Sequence, residues 1–177
     1  HGNITHWISH GQLGPDHYIA MEYVGGQDLQ TILKAGKRHG EQLPYALLAY
    51  IAGSVIRALK AAHSATMDGE PLQIVHRDIT PENILLSYTG EVKLIDFGIS
   101  MSRLKPHNAG QSDVLKGKTR YISPEQAFGQ TIDRRADFFS LGAVLFECCT
   151  GQTLFEGANQ FLILEQVRTA EIPDPRS

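Results

Sequence analysis

Three residues of this chain have the types and spacing for chemistry on phosphates: Asp78, Asn83 and Asp96. Asn83-Ile84-Leu85-Leu86 and Val92-Lys93-Leu94-Ile95-Asp96 are two apolar runs separated by Ser87-Tyr88-Thr89-Gly90-Glu91. The pattern predicts a β-hairpin turning near Thr89-Gly90. A hairpin symmetric about that turn sets Asn83 opposite Asp96 at its open end, so an amide oxygen and a carboxylate converge on one point. Such hard oxygen donors suit Mg²⁺. Asp78 lies five residues before Asn83, in the loop feeding the hairpin, and brings a second carboxylate within reach. Two acids and an amide around a metal supply what phosphoryl transfer requires: charge neutralisation, and a group that orients the attacking hydroxyl.

Other elements must hold this loop and hairpin in place. Tyr18 to Val24 is rich in β-forming residues and stops at Gly25-Gly26, which predicts a strand and a turn. Leu29, Ile32 and Leu33 suggest a short helix. From Pro44 to His63, Leu47, Ile51, Val55, Ala58, Leu59 and Ala62 recur at helical spacing, with Pro44 suited to the first turn. In Asp137 to Cys149, apolar residues cover most of the helical circumference, and Gly151 follows. A helix buried all round is expected there. A last amphipathic stretch runs from Phe161 to Val167, ahead of Pro173 and Pro175.

The 177 residues are 42% hydrophobic and 20% charged, which fits one soluble globular domain. A formal net charge of -3 leaves no basic footprint, so neither nucleic acid nor an anionic membrane is an implied partner. The longest apolar runs, such as Leu141 to Phe146, are too short to span a bilayer, and no signal peptide is visible. A cytoplasmic location is expected. The two cysteines, Cys148 and Cys149, are adjacent on a predicted helix, cannot easily bridge, and fit a reducing compartment.

His76-Arg77-Asp78-Ile79-Thr80-Pro81-Glu82-Asn83 resembles the catalytic loop of protein kinases. Asp96-Phe97-Gly98 resembles their metal-binding loop, and Ser123-Pro124-Glu125 the motif closing their activation segment. The resemblance covers nearly the whole chain. It implies an α+β kinase-like fold: a mostly helical C-terminal lobe (25–177) with a catalytic β-hairpin, and remnant strands of the N-terminal lobe with the hinge (1–24). It further implies transfer of the γ-phosphate of ATP to Ser/Thr hydroxyls of a protein substrate, self-phosphorylation included, with Mg²⁺ or Mn²⁺. Residue by residue, Asp78 resembles the catalytic base, and Asn83 and Asp96 the metal ligands. Met21, Glu22, Tyr23 and Val24 resemble the gate and hinge that bind adenine, and Leu85 the residue beneath the ring. His76 and Phe97 look like members of the packed column linking the lobes. Asp137 resembles the helix aspartate that holds the catalytic loop, and Glu125 the acid of a buried ion pair whose arginine is expected beyond Ser177.

Two positions depart from the family pattern. Where Ser/Thr kinases usually carry lysine, two residues after the catalytic aspartate, this chain has Thr80. Where they usually write glycine-threonine ahead of the closing motif, it has Gly117-Lys118. Lys118 is therefore expected to supply the cation that Thr80 lacks. Arg77 resembles the arginine that receives an activation-segment phosphate, and Ser112 and Thr119 are the expected acceptors. The segment from Thr66 to Gln73 is longer than the usual connection and resembles insertions in bacterial kinases of the eukaryotic-like type.

The glycine-rich loop and lysine that would hold ATP from above cannot be placed in the sequence. The chain thus reads as part of a kinase domain, with little activity expected of it alone. The competing reading is a pseudokinase-like scaffold that binds a partner without phosphoryl transfer. Retention of Asp78, Asn83 and Asp96 together favours the enzyme.

Overall fold

The computed structural model describes residues 1–97 and 117–176. Ser112 and Gly98 lie outside the described residues. An antiparallel ribbon, β1 (Trp7–Leu13) and β2 (Asp16–Met21), comes first. The second strand ends at Met21, short of the expected Val24; beyond it Glu22 N donates to His6 O at 2.9 Å and the Glu22 carboxylate accepts from His6 N at 2.8 Å. Tyr23 points into solvent at 93% exposure.

A three-stranded sheet follows, in the order β3 (Gly26–Asp28), β6 (Ile84–Ser87), β7 (Val92–Leu94). Gly26 is required where β3 crosses β6: a Cβ there would lie 2.0 Å from the Leu86 carbonyl oxygen. Asp28 ends β3 and caps helix α1 (Leu29–His39), accepting from Thr31 N at 2.8 Å. Gly40, at φ 68°, closes that helix behind Lys37, Arg38 and His39, whose charges suit its C-terminal end.

Helix α2 (Tyr45–His63) begins on Pro44, whose carbonyl accepts from Leu48 N. Its 19 residues, at a mean hydropathy of 1.3, are long and apolar enough to cross a membrane by length and composition, contrary to the expectation from uninterrupted apolar runs. Here Ile51, Val55, Ala58 and Leu59 are instead buried against Ile84, Val92 and Leu94 of the hairpin and Leu141 and Val144 of α4. The segment after α2 is a small hairpin, β4 (Thr66–Met67) and β5 (Glu70–Pro71). Asp68 (φ 54°) and Gly69 (φ 86°) form its turn, the positive-φ pair that matches strand twist.

Helix α3 (Pro124–Ala127) is opened by a capping box between Ser123 and Gln126. Helix α4 (Arg135–Thr150) ends at Gly151, φ 71°. It is not buried all round: Ala136, Asp137, Leu141, Val144 and Cys148 are enclosed, but Phe138 remains 45% exposed. Helix α5 (Gln160–Thr169) buries Ile163 and Val167 in a second cluster with Ala127 and Phe155. Phe155 stacks on Phe139 of α4, with centroids 6.2 Å apart, and thereby ties this cluster to the main core.

Candidate active site

The hairpin that carries the site has a register one residue away from the expected one. Ile84 pairs with Leu94, Leu85 with Lys93 and Leu86 with Val92, and Ile95 N donates to Asn83 O at 3.0 Å. Asn83 therefore lies opposite Ile95, and Asp96 is the next residue out. The cause is loop length. Tyr88-Thr89-Gly90 is a three-residue connection between Ser87 and Glu91, with Gly90 at φ 90°, where a symmetric two-residue turn was expected.

The backbone of Asp96 sits in the left-handed region at φ 62°. Arg77 does the same at φ 68°. Neither is glycine, and such conformations persist where surrounding bonds over-determine them. At Arg77, Asp137 supplies those bonds: from the start of α4, Oδ1 accepts from Arg77 N at 2.7 Å and Oδ2 from His76 N at 2.9 Å. His63, at the end of α2, approaches the same Oδ2 with Nε2 at 2.7 Å. Gln126 Nε2 donates to the Arg77 carbonyl at 2.9 Å and ties α3 to the loop.

His76 is fully buried. Its Nε2 donates to the Ile95 carbonyl at 2.8 Å, while Nδ1 accepts from Asp78 N at 3.3 Å. A carbonyl can only accept and a backbone N–H only donate, so Nε2 carries the proton and Nδ1 none, a neutral tautomer; burial accordingly pushes its pKa below the usual value. Phe97 meets the ring edge-on at 4.5 Å. One imidazole thus links the Asp78 loop to the strand leading into Asp96.

At the centre, Lys118 Nζ donates to Asp78 Oδ2 at 2.7 Å. Asn83 Nδ2 donates to the Asp78 carbonyl at 2.7 Å and to Oδ2 at 3.1 Å. These bonds leave Asp78 Oδ1, Asn83 Oδ1 and the Asp96 carboxylate without donors among the described residues. One acid is clamped on one oxygen and open on the other, with the Asn83 amide beside it. That donor chemistry fits a hard cation and a hydroxyl. Thr80 is buried, and its Oγ1 has no hydrogen-bond partner among the described residues.

The remaining predicted residues lie around this centre. Glu22 Oε1 accepts from Lys93 Nζ at 2.8 Å, and that ammonium, together with the bond from His6 N, holds the carboxyl below its ordinary pKa. Met21, Val24 and Leu85 are half-buried. The Val24 amide has no acceptor among the described residues. Thr119 is only 5% exposed, so its hydroxyl is not presented at the surface. Buried Arg77 Nε lacks a partner among the described residues. Glu125 is half-buried and forms no ion pair there.

The sequence reasoning did not single out His63, Lys93, Gln126 or the Tyr121–Glu147 pair. Tyr121 donates to Glu147 Oε2 at 2.5 Å; burial, then the neighbouring carboxylate, raises its pKa. Of these, only Gln126 carried a local signal, as the fourth residue of Ser123-x-x-Gln126.

The protein kinase domain profile matches residues 1–174. A tyrosine-protein kinase of Myxococcus xanthus is 41% identical over 99% of this chain and 27% of that protein. A probable serine/threonine-protein kinase of Clostridium perfringens is 35% identical over 97% of the chain and 23% of its own length. The serine/threonine-protein kinase PknB of Mycobacterium leprae is 37% identical over 90% and 24%, respectively. The chain thus spans about a quarter of the length of these relatives.

Proposed function

The chain belongs to the protein kinase domain family, and from that premise we propose that its protein is a serine/threonine kinase, moving the γ-phosphate of ATP to Ser or Thr hydroxyls of a protein acceptor, its own included. The observation that carries this reading is the state of Asp78. With Oδ2 held by Lys118 and Asn83, Oδ1 is aimed and free to take the proton of an acceptor hydroxyl. Lys118 offsets negative charge beside that oxygen, the work a catalytic-loop lysine would otherwise perform, while Thr80 contributes a neutral hydroxyl. Asn83 Oδ1 and the Asp96 carboxylate are the groups to hold Mg²⁺ or Mn²⁺, which when bound neutralises phosphate charge. Val24, with its unpaired amide, and Glu22 fit the edge of adenine, Met21 and Leu85 its faces. Arg77, with an unpartnered Nε, fits a phosphate on Ser112 or Thr119; burial of Thr119 requires its segment to move first.

The use of ATP supports a cytoplasmic domain. The relatives in Clostridium and Mycobacterium support the Ser/Thr acceptor, whereas the Myxococcus relative is named for tyrosine. The full-length protein, incubated with radiolabelled ATP, Mg²⁺ and a general protein substrate, is expected to yield phosphoserine or phosphothreonine, and Asp78→Asn to abolish it. Label on tyrosine alone would overturn the acceptor assignment. No transfer by folded protein would leave the scaffold reading in its place.

A further inference from the structure

Lys93 is a buried lysine in the middle of β7, and its ammonium donates to Glu22 Oε1 at 2.8 Å. The same oxygen accepts from His6 N at 2.8 Å, and Glu22 N donates to His6 O at 2.9 Å. His6 follows a segment laid parallel to β7, where Leu94 N donates to Asn3 O and Thr5 N to Leu94 O. Three stretches of chain thus meet at one carboxylate oxygen: the segment before β1, the residue after β2, and β7. The Lys93 side chain is 11% exposed and that of Glu22 30%, so salt and water screen this pair less than one at the surface.

The partner of Lys93 across the hairpin is Leu85, and opposite residues of an antiparallel pair project to the same face. Under the kinase reading Leu85 lies beneath adenine, and Glu22 and Val24 lie along its edge. The far end of that edge is fixed as well, since Tyr88 N donates to Gly25 O at 2.9 Å. Residues 22–25 are therefore tied to the hairpin at both ends, by an ammonium at Glu22 and by a backbone amide at Gly25. Only the first of these ties depends on a side chain.

We propose that Lys93 is a positioning residue for the nucleotide. Through Glu22 it sets the backbone of residues 22–25 against Leu85, and so acts on the adenosine part of ATP rather than on its phosphates or the acceptor. This assignment rests on the kinase reading and adds to it the residue that aligns its base-binding edge.

The test uses the full-length protein and two probes: adenosine without metal, followed by isothermal titration, and ATP with Mg²⁺, followed by steady-state kinetics. Lys93→Met keeps an apolar stem and removes the charge. It is expected to weaken adenosine about tenfold, the scale of one charge-assisted hydrogen bond, and to raise KM for ATP by the same factor with kcat changed less than about twofold. Lys93→Arg keeps the charge and should stay within about threefold of wild type. Glu22→Ala should weaken adenosine at least as much as Lys93→Met, and adding Lys93→Met to it should change nothing further, which packing of the stem alone would not produce. Unchanged adenosine affinity in Lys93→Met, or additive losses in the double variant, overturns the inference. A loss confined to ATP does so too, because it would put the ammonium on the phosphates. Should Lys93→Met fail to fold, Glu22→Ala removes the pair from its more exposed side, and wild-type adenosine affinity there overturns the inference equally. A wild type that binds adenosine but transfers no phosphate overturns the kinase reading alone.

Discussion

The ammonium of Lys118 and the carboxylate of Asp78 are 2.7 Å apart, although 40 positions separate them in the chain. Thr80, two residues after Asp78, is neutral where the family usually carries lysine, and Lys118 brings an ammonium to Asp78 from a distant segment. Lys118→Ala in the full-length protein is expected to lower kcat by roughly 100-fold, the scale of removing one stabilising group from a developing anion. Adding Thr80→Lys to that variant should recover part of the loss. Steady-state kinetics on a protein substrate checks both, and an undiminished kcat in the single variant would sink the assignment.

Asp137 accepts from two backbone amides and faces His63. Replacing it with alanine leaves those buried amides unpaired, each worth about 1–3 kcal/mol. Asp137→Ala should therefore cost about 3 kcal/mol or more in urea unfolding. Because the left-handed conformation of Arg77 depends on the same bonds, phosphate transfer should fall further than stability explains. A variant that unfolds at the wild-type midpoint would contradict this.

The catalytic loop, the hairpin and the long helices were legible because each is written locally, in apolar spacing, caps and turn residues. Gly151 and Pro44 marked helix ends correctly. What escaped was set by distance or by parity. Nothing near His63 announces that it meets Asp137, 74 residues later. Lys93 reads as one residue of an apolar strand, yet it reaches Glu22 across 71 positions. Phe138 looked like core because its helix is apolar on nearly every face, but packing leaves that face uncovered. Asp68-Gly69 carries a hairpin signal of its own, and the long connection folds into that hairpin.

Gly26 is the most sterically constrained glycine of the sheet. The Cβ of alanine there would lie 2.0 Å from Leu86 O and 2.7 Å from Ser87 Cα, both of them backbone. No side-chain rotation relieves that clash, so β3 must leave β6 and carry the cap of α1 with it. Gly26→Ala is expected to destabilise the domain by about 2 kcal/mol or more. Thermal unfolding checks it, and a change under half that size would show that the strands separate freely.

Burial in α4 pushes the Cys148 thiol from 9.0 up to about 12, while Cys149 beside it is partly exposed. The native state keeps a proton that the unfolded chain releases above pH 9.0, so this contribution to stability is intact below that pH and is lost as pH rises towards about 12. At pH 8, iodoacetamide should label Cys149 ahead of Cys148 in the folded protein and both alike in urea, as read by peptide mass spectrometry. Equal labelling in the native state would disprove the burial.

The hairpin joining Asn83 to Asp96 turns on three residues, an odd number, and that parity constrains how the segment can evolve. Side chains along a strand alternate between faces, so one residue gained or lost in Tyr88-Thr89-Gly90 would turn Val92 and Leu94 out of the core or slide Asp96 away from Asn83. Tyr88 and Thr89 are exposed, and their side-chain bonds to Gln27 and Ser87 lie at the surface, so their identity can vary at little cost. The number of residues cannot, and in descendants of this gene this surface loop should accumulate substitutions while excluding single-codon insertions and deletions.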